Sequence, residues 1–239
     1  MTVYHGSNIQ IFFVNLQQSE PHKDFGQGFY VTKYYKQAEA WAIRRGLYSH
    51  KNPVVSEFNF NEFAFQDKHL KTLRFDGYTD EWFDFVIFNR KKDTINQHDY
   101  DIIEGCVADD KIQNRIDRFL LGRITKEQFF TDLIYNPSHQ ICFHTRKGLQ
   151  YLDTTHQKHI VFDIEDLLEN IISNLSIDKK IDEEVSAEIF YTSKTYENLG
   201  KINLGIYKKQ WQDIYSMLQE ELQQNKAVEQ AKKRRDIRI

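Results

Sequence analysis

"DFGQGFYVT", residues Asp24–Thr32, sets two glycines among aromatic and β-branched residues. With "VYHGSN" (Val3–Asn8) it holds three of the chain's ten glycines. Glycine is used where backbone turns sharply or where something must approach it closely. Phe29, Tyr30, Val31 and Thr32 favour extended backbone, so Gly28–Thr32 is expected to be a strand reached through a tight turn. Thr2–His5 has the same strand character. The question is whether the close neighbour of these glycines is another strand or a ligand.

Working outward, residues 36–48 are expected to be helical, with Ala38, Trp41 and Ala42 at helical spacing. A strand is expected over Pro53–Phe60, and a helix over Thr79–Asn89 with Trp82, Phe83, Val86 and Ile87 on one stripe. "YDIIEGCVAD" (Tyr100–Asp109) is a buried strand running into a turn, followed by helices over Lys111–Leu121 and Thr125–Leu133. Thr125 and Gln128 have the spacing of a capping box. "HQICFHT" (His139–Thr145) is a further strand, preceded by the turn signal Asn136-Pro137-Ser138. After Asp163 the chain becomes polar and acidic with helical spacing, which suggests a connector. Two more helices are expected from Val185, separated by Gly200–Gly205. The second carries the stripe Tyr207, Trp211, Ile214, Tyr215, Leu218 and Leu222, which either packs back on the first domain or docks a partner or second copy. The tail "KKRRDIRI" is either a solvated end or a nucleic-acid contact.

Composition narrows the class. The chain has 239 residues, of which 40% are hydrophobic and 14% aromatic, enough for one large domain or a domain with an appendage. A net charge of −3 gives no whole-protein argument for a polyanionic partner. Cys106 and Cys142 are the only cysteines, which excludes a disulfide framework and fits a reducing compartment. The N-terminus lacks a secretory pattern, and no apolar run is long enough to span a bilayer. A soluble, cytoplasmic protein without a membrane partner is expected.

Several motif classes are absent. "DFG" has no accompanying nucleotide loop, strand lysine or H-R-D segment, so a kinase is excluded. "FGQGF" lacks the third glycine and the following acid of a dinucleotide fingerprint. The nine histidines include no HExxH, and His156 with His159 has no third ligand nearby, so no metal is expected. Nothing supports acyl transfer.

What remains is an ordered set: "YHGS" (Tyr4–Ser7), "DFGQGFYVT" with "QAEAWA" (Gln37–Ala42), "GCVADD" (Gly105–Asp110) and "HQICFHT". On these motifs, over about the first 150 residues, the chain resembles the ADP-ribosyltransferase superfamily. It looks like a bacterial family within the His-Tyr-Glu branch. The resemblance implies that His5 bonds a ribose hydroxyl of NAD and that the Gly6 backbone meets the nicotinamide amide. Ser7 would add a ribose contact, Tyr30 would stack on the nicotinamide, and Gly26 and Gly28 would let the chain close over the ligand. The family's third residue, a Glu that stabilises the developing cation, is matched by Gln140. A neutral amide lacks that charge, and one preorganised group can be worth several kcal/mol. Either another carboxylate compensates, Asp110 or Asp109 being expected over Glu104, or turnover is slow, or catalysis is lost. Each residue also has a plain structural alternative: His5, Tyr30 and Gln140 as strand residues, Asp109 and Asp110 as helix caps, Asp24 as a turn residue.

The resemblance implies an α+β fold: an ADP-ribosyltransferase-like split β-sheet core with flanking helices over residues 1–163. A connector would follow over 164–184, then a helical C-terminal region over 185–239. It implies an enzyme that moves ADP-ribose from NAD, consumed as substrate, to a protein or nucleic-acid acceptor, of the kind used as a bacterial toxin or defence effector with an antitoxin-like partner. NAD hydrolysis, or an inert module that binds NAD or a partner, are the alternatives.

Overall fold

Alternation along β2 (Phe29–Val31) sets the layering: Phe29 and Val31 face one core and Tyr30 faces another, as the two-residue period of a strand requires. The computed structural model describes residues 1–91, 98–108, 110–131 and 138–236. In chain order, β1 (Thr2–Ser7) precedes β2, and α1 (Tyr35–Ser49), β3 (Val54–Phe60), β4 (Thr72–Arg74) and α2 (Asp80–Arg90) follow it. Then come β5 (Ile102–Gly105), α3 (Asp110–Leu120), α4 (Lys126–Thr131), β6 (Gln140–Phe143), α5 (Arg146–Leu149) and β7 (Leu152–Val161). The last elements are α6 (Glu165–Lys179), α7 (Glu183–Tyr191), α8 (Lys194–Leu199) and α9 (Trp211–Asp236). The fold is α+β.

Two sheets form, one in the order β1-β3-β7 and one in the order β2-β6-β5-β4. In the second, β6 pairs antiparallel with β2 and β5, and β4 runs parallel to β5. An isolated antiparallel bridge links Tyr4 to Thr32, with N–H···O distances of 2.7 and 2.8 Å.

The residues divide into two compact units. Unit 1 comprises Met1–His5, Gln10–Ala38 and Ser56–His159; unit 2 comprises Gly6–Ile9, Glu39–Val55 and Ile160–Ile239. In unit 1, Val3, Phe58, Phe60 and Leu152 of the first sheet pack with Phe29, Val31, Ile102, Ile141 and Phe143 of the second. The second sheet's other face, with Tyr30, Ile103 and Cys142, packs on Trp82, Phe83, Val86 and Ile87 of α2, Ile112 and Ile116 of α3, and Phe129 of α4. Unit 2 is helical around Ile43, Leu47, Leu168, Ile171, Phe190, Ile214 and Leu218.

Local signals explain several boundaries. Thr79 caps α2 by accepting from the Trp82 N–H. The capping box is formed: Gln128 N–H reaches Thr125 Oγ1 at 3.2 Å, and Thr125 N–H reaches Gln128 Oε1 at 2.8 Å. The polar segment after Asp163 is α6, which buries Leu167, Leu168, Ile171 and Leu175. The first of the two helices expected from Val185 is broken into α7 and α8, because Ser193 starts a new helix by capping the Tyr196 N–H. Of the late stripe, Tyr207, Ile214, Tyr215 and Leu218 are buried in the unit 2 core, with Trp211 and Leu222 packed against it.

Candidate functional site

Asp24 is the point at which distant stretches of unit 1 converge. Its side chain is buried, and Oδ1 accepts from both Nε (2.8 Å) and Nη2 of Arg90 on α2. Oδ2 accepts from the Ala108 N–H and from Gln140 Nε2, both at 2.9 Å. The same Gln140 amide nitrogen donates to the Cys106 carbonyl at 2.9 Å, which also accepts from the Trp82 indole at 3.1 Å. A buried carboxylate with a guanidinium and two further donors is thereby neutralised and fixed in orientation.

The turn after Asp24 is clamped by side chains. Tyr30 Oη donates to the Gly26 carbonyl at 2.6 Å and accepts from the Phe25 N–H at 3.1 Å. His98 Nε2 donates to Phe25 O and His144 Nδ1 donates to Gln27 O, each at 2.8 Å. Three successive carbonyls are therefore held, which suits a loop whose Gly26 sits at φ +80°. The two imidazoles meet edge to face at 4.5 Å. Because the bonded nitrogens face carbonyls they carry the protons, so His144 Nε2 is an unprotonated nitrogen, buried and without a partner. Burial, then the neighbouring His98, pushes the His144 pKa down to about 4. Burial also lowers that of His98 and raises those of the Tyr30 phenol and the Cys142 thiol.

A second polar pair lies on β5 and at the start of β6. Glu104 Oε1 is 2.9 Å from His139 Nε2, and Glu104 Oε2 accepts from Arg74 Nε at 2.6 Å. His139 Nδ1 accepts from the Lys33 N–H at 3.1 Å, which fixes the tautomer protonated at Nε2. Burial pushes the Glu104 carboxyl up, but the bond from His139 and the charge of Arg74 outweigh it and hold it below its ordinary range.

The structure brings together only some of the expected site residues. Tyr30 pairs with Cys142 and Gly105 pairs with Gln140, so Tyr30 and Gln140 share the sheet face on which Asp24 lies. His5 donates through Nδ1 to the Tyr30 carbonyl at 2.7 Å, but its ring stacks on Phe29 at 4.6 Å. Since Phe29 and Tyr30 alternate, the imidazole meets the Tyr30 backbone and not its phenol. Gly6 and Ser7 belong to unit 2, where Ser7 Oγ accepts from the Ile9 N–H at 3.2 Å. Gly28 is explained by packing: a Cβ there would stand 2.5 Å from Cys142 Sγ and 2.6 Å from the Phe143 carbonyl. Its close neighbour is strand β6. Asp109 lies outside the described residues, and Asp110 is the first residue of α3, with its side chain outside the description.

Residues 1–154 match the family model described as "Protein of unknown function (DUF3990)". The chain belongs to this family. No curated protein and no solved structure matches it. The DUF3990 match contains every residue of the Asp24 cluster and of the loop clamp. Sequence reasoning missed Asp24, Arg90 and the Glu104–His139 pair as a connected set. The one available signal was an acid in the "DFG" turn alongside apolar helix α2 ending in Arg90. An open depression of about 560 Å³ lies over Asn59–Asn61 and Leu149–Thr155, and none of the expected site residues lines it. Among the described residues, no group of three or more His, Cys, Asp or Glu could hold a metal ion, and no helix is long and apolar enough to cross a membrane.

Proposed function

We propose that this chain is an NAD-dependent ADP-ribosyltransferase acting on a macromolecular acceptor, with the two β-sheets as its split-sheet core. The observation that carries the proposal is the convergence around Tyr30. "DFGQGFY", "GCVADD" and "HQICFHT" are tied together through Asp24, Gln140, Cys106 and Ala108, and "YHGS" joins through His5 on the Tyr30 carbonyl. Motifs that only recur in order need not meet; these do. The Lys23 ammonium lies 5.7 Å from the Tyr30 ring centroid, a cation–π contact that the pyridinium of NAD would have to replace.

In the reaction, the bond between nicotinamide nitrogen and ribose carbon breaks with its electron pair going to the ring, which leaves as neutral nicotinamide. The positive charge passes to the ribose carbon, where an acceptor nucleophile forms the new bond and gives up its proton. Tyr30 would stack on the departing ring, and Gln140, oriented by Asp24, would turn its amide oxygen to the ribose. His5 would hold the adjoining strand in register through the Tyr30 carbonyl.

A second reading, NAD binding without turnover, is favoured by one feature. Both amide protons of Gln140 and both oxygens of Asp24 are engaged inside the protein, so neither supplies the full free charge of a Glu. Incubation with NAD labelled in the adenylate half and a bacterial lysate separates the cases. Label on protein or nucleic acid, lost in Tyr30→Ala and reduced in His5→Ala, supports transfer. Free ADP-ribose alone indicates hydrolysis, binding without nicotinamide release indicates the inert module, and failure of wild type to bind NAD removes the whole reading.

A further inference from the structure

Helix α1 buries one face in unit 2 through Ala42, Ile43, Gly46 and Leu47 and exposes the other. Trp41, Arg44, Arg45 and Tyr48 fall on that outer face at helical spacing, all four exposed, with Trp41 46% and Tyr48 86% accessible. The helix's only acid, Glu39, is turned inward, 1% accessible, and paired with Lys208 Nζ at 3.0 Å. The exposed formal charge on α1 is therefore entirely positive, and exposed Lys51 just beyond its end extends it. The chain as a whole has a net charge of −3, so the charge on this helix is opposite in sign to the total.

We infer that this outer face of α1 binds single-stranded nucleic acid, with bases stacking on Trp41 and Tyr48 and phosphates pairing with Arg45 and Lys51. Two aromatic rings seven residues apart are separated by about 10 Å of helix rise, the rise of about three stacked nucleotides. Cations interleaved with π-faces are the pattern that tracks a strand without reading its sequence. An acidic protein is the competing occupant, since Trp, Tyr and Arg also anchor protein interfaces; the spacing of the two rings along the helix and the cations between them favour the strand, and polyglutamate competition tells the two apart. Arg44 already lies over the Trp41 ring at 5.7 Å, so the indole face is presented beside a cation rather than packed under the core. The inference rests on unit 2 alone and stands whether or not NAD is a substrate.

Fluorescence anisotropy of the full chain with labelled single-stranded 20-mer DNA and RNA, and with a duplex control, tests it. Binding to a single strand is expected to weaken with salt and to exceed duplex binding. Tyr48→Ala and Trp41→Ala should each lose about fivefold or more in affinity, and Arg45→Ala should flatten the salt slope by about 0.7. Polyglutamate at equal charge should compete poorly. The inference is overturned if neither single strand binds, if duplex binds as well, or if polyglutamate competes equally. Wild-type affinity in all three variants also overturns it, since each keeps the basic tail from Lys232 and such binding would belong to the tail. Tyr48 and Arg45 are exposed, so a thermal melt identical to wild type separates lost contacts from lost folding.

Discussion

Gln140 shows how a single side chain can be tied into a site and still lack the charge that chemistry there would use. Its amide nitrogen bridges Asp24 and the Cys106 carbonyl, so its identity is set by neighbours from two other stretches. His5, Tyr30 and Gln140 each sit in a short motif, which is why sequence singles them out as candidates. Asp24 and Arg90 are not singled out as a pair, because 66 residues separate them and nothing local in either marks the other. Gly28 was legible as a close approach and was expected to make room for a ligand; the close neighbours there are Cys142 and Phe143 on β6. His144 gives a pH test at this scale. Its folded pKa is about 4 against an ordinary value of about 6.5. Between those values the unfolded chain binds a proton that the folded chain refuses. Stability from this group is complete above about pH 6.5 and falls as pH drops toward 4, by up to about 3 kcal/mol. His98 shifts in the same direction and adds to the slope. Urea unfolding at pH 7 and pH 4.5 should show a smaller difference for His144→Asn, which keeps a donor for Gln27 O; parallel behaviour of wild type and variant would refute the assignment.

Among the elements, those with a strong apolar period or a capping signal were visible in sequence: β2, α1, α2, β5, β6 and the capping box before α4. Strand β7, "LDTTHQKHIV", was not, since its polar and charged residues give no alternation; tertiary pairing in the order β1-β3-β7 overrides its composition. Helix α6 was visible as helical spacing but misjudged in weight, because acids and amides outnumber its buried residues. Ile171 is fully buried in unit 2, whereas Ile177 on the same helix is 71% accessible. Ile171→Ala should cost about 2–5 kcal/mol and Ile177→Ala within about 0.5 kcal/mol, measured by urea denaturation. Equal, small effects would show that α6 is only a connector.

At the scale of the molecule, each unit draws on separated parts of the chain. Unit 2 takes Gly6–Ile9 and Glu39–Val55 from within the family match of residues 1–154, and its core sets Ile43 and Leu47 against residues from α6 to α9. A fragment of residues 1–163 would leave those two side chains without cover. It should bind a hydrophobic dye and unfold without a sharp transition, whereas a cooperative, dye-silent fragment would show that residues 1–163 fold alone. Both cysteines, by contrast, belong to unit 1, Cys106 at 7% and Cys142 at 0% accessibility. With Gly28 lying against the Cys142 sulfur, an alkylating reagent reaches that thiol only after β2 and β6 part. The chain thus carries an internal clock for the opening of one interior, silent about the other, with no label to be engineered.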